Sequence, residues 1–316
     1  MPPILTASEL SVHYGKREAL RSLSLSLEPG TVGLLGPNGS GKSTFMKTLL
    51  GFIRPHRGHA TLFGEPVSGK NAVLRERIGY FPERSVVLPG MSSIEAVALA
   101  GELGGLPRKA ALERAHEVLW FVGLGEARYR PVEEFSTGMQ QRNKLAMAIV
   151  HDPEFVLLDE PTSGLDPLGR RQMLELVSDL AARGISVLLS THLLNDVERV
   201  CDHVLVLNDG RLVLDSPLDE LKQPSGYVYE LRVREPEPGG FRSALEGQCR
   251  SVSQDKDGLV HVTMESSSTQ SLFAAALASQ TEIRHLRRFE ATLEERFAGA
   301  MTGSSAPHDV PDGTPL

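Results

Sequence analysis

Leu23, Leu25 and Leu27 alternate with Ser22, Ser24 and Ser26, a period of two that predicts a strand with one buried and one polar face. Leu10, Val12 and Tyr14 alternate in the same way, and Pro29–Gly30 turns the chain. An antiparallel β-layer is therefore expected ahead of TVGLLG, an apolar run from Thr31 that reads as a buried strand. The residues after it, TFMKTLLGF, place apolar side chains at helical spacing. Further along, FVLLD from Phe155, ISVLLS from Ile185 and HVLVL from His203 are short apolar runs rich in branched residues. The first two flank a helix expected over 170–182, the βαβ grammar of a parallel sheet. Asp209 and Gly210 predict a hairpin turn.

Two other stretches have a different rhythm. From Pro107, the residues Leu112, Ala115, Val118, Leu119 and Val122 fall on one helical face, so 92–131 reads as a helical insert. Beyond KQPSG at 222–226, YVYELRVR, CRSVSQ and GLVHVTME read as strands, and PGGFRSALEG and TQSLFAAALASQ as helices, giving a second, small α+β unit. The run RHLRRFEATLEERF mixes both charges at helical spacing and reads as a solvated surface. Residues 302–316 are small, polar and proline-bearing, and are expected to be disordered.

Bulk composition narrows the classes. A length of 316 residues favours two domains. A net charge of −7 argues against a surface built to wrap nucleic acid, which needs cations to displace counterions. Cys201 and Cys249 are too few for a disulfide framework or a cysteine metal site and fit a reducing compartment. No stretch matches a membrane span or a signal core, so a cytoplasmic location is expected.

The chemistry concentrates in residues 36–44. Gly36, Pro37, Asn38, Gly39, Ser40, Gly41, Lys42, Ser43 and Thr44 lie between the buried strand and the helix, where consecutive backbone N–H groups and a helix N-terminus cradle phosphates. Lys42 can reach the β- and γ-phosphates, and Ser43 can hold Mg²⁺ through its hydroxyl. FVLLDE then ends an apolar strand in two carboxylates. Asp159 suits the Mg²⁺ hydration shell, and Glu160 suits the orientation of an attacking water.

These motifs, followed in order by FSTGMQQR at 135–142, LLDEPTSGLD at 157–166 and LLSTH at 188–192, make the chain resemble the ATP-binding cassette (ABC) subunit of ABC transporters over about residues 5–221. The resemblance implies an α/β fold, a P-loop NTPase domain with a RecA-like parallel sheet core, an antiparallel β-subdomain and a helical subdomain at about 88–150. That domain would cover 1–222, with a C-terminal α+β accessory domain at 223–301. It also implies ATP and Mg²⁺ as ligands and ATP hydrolysis as the activity. Ser136, Thr137, Gly138 and Met139 would then be the signature that completes the opposite subunit's ATP site, with Asp166 in the loop crossing the dimer interface. His192 resembles the family's γ-phosphate switch, and Tyr14 its adenine-stacking aromatic; a core-facing tyrosine is the alternative. Two copies, or this chain and a paralogue, would sandwich two nucleotides and drive a separate integral membrane permease from the cytoplasmic face of the cell membrane.

The chain departs from the common pattern at IGYFPE, which puts Glu83 where many relatives carry a glutamine that senses Mg²⁺ and the permease; no glutamine precedes Gln140. Met139 likewise replaces the usual signature glutamine. Both changes, and ATLEERF near the C-terminus, resemble an exporter-associated subgroup. One rival reading is a soluble cassette ATPase acting on DNA or ribosomes, though the chain has one cassette, an acidic charge and no long coiled-coil insert. Another is a nucleotide-binding scaffold without turnover, against which stand Lys42, Asp159, Glu160 and His192. His56 and His59 sit in a Gly/Pro-bearing turn without a carboxylate or cysteine partner, which argues against a metal there.

Overall fold

The leucine–serine alternation becomes one edge of a β-layer. In the computed structural model, which describes residues 2–69, 71–84, 88–222, 227–235, 239–245, 247–254, 258–264 and 268–289, β1 (Leu5–Tyr14) pairs antiparallel with β2 (Arg17–Leu27). Leu23, Leu25 and Leu27 are buried and the three serines are exposed. Tyr14 departs from the alternation: it sits at the hairpin tip and is 51% exposed, so the core-facing alternative does not hold. The layer continues through β4 (Arg57–Leu62) and β5 (Glu65–Pro66) in the order β2-β1-β4-β5, and the metal-disfavoured His56 accepts the N–H of His13 at 3.3 Å.

The second sheet has six strands in the order β10-β9-β3-β8-β7-β6. They are β3 (Thr31–Leu35), β6 (Ile78–Phe81), β7 (Phe155–Asp159), β8 (Ser186–Thr191), β9 (His203–Asn208) and β10 (Arg211–Pro217). All residues of β3, β7 and β8 are buried, as strands covered on both faces require, and the five strands β6 to β9 and β3 run parallel. β10 returns antiparallel through Asp209 and Gly210, both at positive φ (45° and 75°), the geometry of the tight hairpin turn. β6 was not among the expected strands; four residues are too few to establish a period.

The helices follow in chain order as α1 (Lys42–Leu49), α2 (Ala72–Glu76), α3 (Ser93–Leu103), α4 (Arg108–Phe121), α5 (Thr137–Ile149), α6 (Pro167–Ala182) and α7 (Leu194–Val200), with α3 and α4 packed on each other and on α5 rather than on the sheet. α3 starts in a capping box between Ser92 and Glu95, and α4 buries Ala111, Ala115, Val118 and Leu119. Leu112, assigned to the buried face from its spacing, is 46% exposed; Ala111 takes the inward position instead. α6 begins three residues earlier than the expected 170, because Asp166 caps it and Pro167 occupies the first turn, where its missing N–H costs nothing.

The chain divides into two compact units between Leu218 and Asp219, within α8 (Leu218–Lys222). The second unit runs β11 (Tyr227–Arg234), α9 (Gly240–Leu245), β12 (Ser251–Gln254), β13 (Leu259–Met264), α10 (Gln270–Ala278) and β14 (Glu282–Phe289), in the antiparallel order β12-β13-β11-β14. This βαββαβ arrangement is ferredoxin-like. Its own core holds Leu231, Phe241, Leu245, Val262 and Leu272, all fully buried. The start of the charged run, 284–289, lies on strand β14 rather than at helical spacing, while Arg284, His285, Arg287 and Arg288 are exposed, as a solvated surface requires. Ile283 and Leu286, three apart, mimic helical spacing, but a register shift beside Arg232 and Val233 brings both onto the core. The remainder of that run, including ATLEERF, lies outside the described residues, as do 223–226 and 302–316. Among the described residues no helix is long and apolar enough to cross a membrane.

Candidate functional site

The sequence-predicted residues gather because four neighbouring parallel strands end at one edge. β3, β8, β7 and β6 lie side by side, with Leu35 opposite Thr191, Ser190 opposite Asp159, and Leu158 opposite Phe81. Their next residues are Gly36, His192, Glu160 and Pro82. Ligands of open parallel sheets bind at these carboxyl ends, where the chain leaves the sheet and side chains converge.

The loop after β3 is shaped by two close backbone approaches. At Gly36 (φ 152°) an added Cβ would lie 2.2 Å from the Leu207 carbonyl oxygen, and at Gly41 (φ 112°) 2.7 Å from the Ala19 carbonyl oxygen. Gly41 precedes α1, whose first-turn N–H groups lack a side-chain cap. Lys42, 6% exposed, folds across the loop: Nζ donates to Gly36 O at 2.7 Å and Pro37 O at 3.4 Å. Arg17 Nη2 donates to Gly39 O at 3.2 Å, so the turn bearing exposed Tyr14 is held beside the loop.

The carboxylates sit opposite. Asp159 is 1% exposed, and Glu160 adopts φ 51°, a strained backbone for a glutamate, with its N–H bonded to Ser190 O at 3.0 Å. Glu160 Oε1 lies 3.6 Å from Lys42 Nζ, and its Oε2 accepts from His192 Nδ1 at 3.0 Å. Lysine, glutamate and histidine thus form a continuous chain of contacts. Ser40 Oγ, Asp159 Oδ1 and Glu160 Oε1 are buried without a hydrogen-bond partner. Buried polar atoms of this kind mark a place where a ligand or ion completes the bonding. Serine hydroxyl and carboxylate oxygens are the hard donors that Mg²⁺ prefers, so the set Ser43 and Asp159 fits that ion. Burial beside Asp159 and Glu83 pushes the Tyr80 phenol up to about 12.

Glu83 is exposed, just beyond β6. Ser136 caps α5, and with Thr137 it is exposed at the helix start; Gly138 and Met139 are half-buried behind them. Among the described residues, none of these four hydrogen-bonds to the loop at 36–44. Asp166 Oδ1 accepts the Gly169 N–H at 2.8 Å, so this exposed carboxylate caps α6 as well as standing in the 163–166 loop.

Sequence reasoning missed three connecting groups. Gln141, about one turn into α5 on its buried side, donates to Ser163 O at 3.1 Å and joins the signature helix to the Asp166 loop. Asp196, 1% exposed on α7, accepts from Thr162 Oγ1 at 2.7 Å and Arg170 Nε at 2.5 Å. Lys144, 3% exposed on α5, donates to Pro82 O at 2.9 Å. A basic residue inside the apolar face of α5 was the available signal for the last.

Comparison with known proteins gives consistent matches. A family model described as "ABC transporter" matches residues 20–163. The uncharacterized ABC transporter ATP-binding protein YxlF of Bacillus subtilis is 38% identical over 73% of this chain and 77% of its own. The daunorubicin/doxorubicin resistance ATP-binding protein DrrA of Streptomyces peucetius is 34% identical over 96% of this chain and 93% of its own. The Nod factor export ATP-binding protein I of Burkholderia lata is 32% identical, covering 90% and 92%. A solved structure of an ATP-binding subunit of an ABC transporter superposes with a TM-score of 0.63 at 31% identity, covering 69% of this chain and 92% of that one.

Proposed function

The chain belongs to the ABC transporter family as its ATP-binding and hydrolysing subunit, and on that premise we propose the following roles for its residues. Tyr14 stacks on adenine. Gly36, Pro37, Asn38, Gly39, Ser40, Gly41, Ser43 and Thr44 hold the triphosphate, and Lys42 supplies the countercharge. Ser43, Asp159 and Glu83 would hold Mg²⁺, which would supply positive charge against that developing on the phosphates. Glu160 orients the attacking water and accepts its proton, while His192 acts as the γ-phosphate switch and, through Nδ1, keeps the Glu160 carboxylate in one rotamer. The observation supporting this assignment is the Lys42–Glu160–His192 chain at 3.6 and 3.0 Å, beside the partnerless Asp159 oxygen.

The exposed N-terminus of α5 supports an intermolecular role for Ser136, Thr137, Gly138 and Met139. With Ser136 and Thr137 exposed there, that helix start would offer an anion site to the ATP of a second copy or a paralogue. Asp166 would cross the same interface. ATP closes this dimer because it is contacted from both sides; after hydrolysis the closed state loses that advantage. Residues 1–222 form the ATPase domain and 223–301 the accessory domain. The motion is passed through Glu83's loop to a separately encoded permease, with the subunit peripheral at the cytoplasmic face. The near full-length matches to the Streptomyces resistance protein and the Burkholderia export protein favour export. The rival reading, an ATPase on nucleic acid or ribosomes, has no support among these relatives.

The direct experiment is ATP binding, turnover and oligomeric state of Glu160→Gln with Mg²⁺. The expected variant binds ATP, does not turn it over, and runs as a dimer. A variant that hydrolyses at the wild-type rate removes Glu160 from its assigned role, and one that remains monomeric with ATP and the permease present removes the sandwich.

A further inference from the structure

Lys144 is an unusual residue to bury. It sits within α5 (Thr137–Ile149), the helix that the signature turn begins, among Leu145, Ala146, Ala148 and Ile149, and is itself 3% exposed. A buried ammonium is unfavourable unless its hydrogens are used and its charge is balanced. Here Nζ donates to the Pro82 carbonyl at 2.9 Å and the Glu83 carbonyl at 3.4 Å, and lies 4.2 Å from the centroid of the Phe81 ring. The carboxylates of Asp159 and Glu83 are within Coulombic reach. A methionine would fill the same volume at less cost, so packing alone does not explain a lysine.

We infer that Lys144 is a positioning residue for ATP hydrolysis: it ties the signature helix to the loop that carries Glu83 and so transmits displacement of Ser136–Gly138 to the edge of the hydrolysis site. The connection is short. Three successive residues, Phe81, Pro82 and Glu83, meet one ammonium, through a ring and two carbonyls. α5 is rigid along its hydrogen-bonded length, so a shift at its N-terminus is carried to residue 144 two turns on. Neither Glu83's side chain nor a bound metal is needed for the tether, since both hydrogen bonds go to backbone carbonyls; the link to catalysis rests on the proposed role of the Glu83 loop.

The test uses the full chain with Lys144→Met, Lys144→Arg and Glu83→Gln. In nucleotide-free protein, hydrogen–deuterium exchange over 78–84 is expected to quicken about tenfold in Lys144→Met and stay near wild type in Lys144→Arg, which keeps the cation. Mg²⁺-dependent ATPase of Lys144→Met is expected to lose about tenfold in kcat with KM for ATP unchanged, because the phosphate loop is untouched. Exchange that is unaltered over 78–84, or that rises equally across 2–218, overturns the tether; a KM that rises in step with the loss of kcat overturns the positioning role. If Lys144→Met does not fold, Lys144→Gln is read by the same criteria. Glu83→Gln separates the two readings: wild-type Mg²⁺ dependence in that variant removes Glu83 from the metal site, while the exchange result for Lys144→Met stands by itself.

Discussion

His192 Nδ1 lies 3.0 Å from Oε2 of Glu160 and joins the end of β8 to the end of β7. The histidine is half exposed and the glutamate nearly buried, so the ring reaches inward to hold a carboxylate whose backbone is already strained at φ 51°. One carboxylate oxygen is thereby committed and the other is left beside Lys42 without a hydrogen-bond partner. In the role of base proposed for it, a carboxylate held on one side and vacant on the other would be oriented before its substrate arrives.

Glu160→Gln removes the proton acceptor but keeps the size and the contact with His192. Turnover should fall by about 10²–10⁴, with ATP affinity within a few-fold of wild type, as measured by phosphate release and nucleotide titration.

His192→Ala frees the Glu160 carboxylate to leave its rotamer. A displacement of about 1 Å costs on the order of 10² in rate, so kcat should fall by that factor while KM for ATP holds. Steady-state kinetics decides it; a loss confined to KM would assign His192 to binding alone.

Gly36→Ala must move either the loop or β9, because the new methyl would sit 2.2 Å from the Leu207 carbonyl at a φ that side chains avoid. ATP affinity should weaken by at least about tenfold, or 1.4 kcal/mol, in calorimetric titration. Unchanged affinity would show the loop to be far more yielding than its close contacts indicate.

Asp196→Ala leaves Arg170 and the buried Thr162 hydroxyl without their acceptor. Arg170 remains partly solvated, so leaving these donors unpaired costs about 1–3 kcal/mol, and the unfolding midpoint in urea should drop accordingly. Far-ultraviolet circular dichroism reads the loss of α5, α6 and the parallel sheet.

His151 should titrate below its ordinary value of 6.5, because burial disfavours its cation more than its contact with the Ile78 carbonyl, at 3.1 Å, favours it. The unfolded chain then takes up this proton first as pH falls through about 6.5, so the stability contributed is present above that value and declines below it. Nuclear magnetic resonance of the imidazole C–H resonances reads the shift directly; a midpoint above 6.5 would reverse the sign.

The sequence by itself determined whatever rests on local chemistry. Gly36 to Thr44 carry their phosphate-binding character in consecutive backbone amides, and the unbroken apolar runs of β3, β7 and β8 announce strands covered on both faces. The Leu23–Leu27 alternation and the Asp209–Gly210 turn were legible for the same reason: period and φ preference act over a few residues. Tertiary structure decided everything that depends on which distant segments meet. It exposed Tyr14 and Leu112 against their spacing, and set the start of the charged run, 284–289, on a strand because a register shift lets Ile283 and Leu286 share one core. It also gave Asp196, Gln141 and Lys144 their partners 34, 22 and 62 residues away. A hydrogen bond or an ion pair is made by distance and direction in space, and neither is encoded in the order of residues until the chain has closed its sheets.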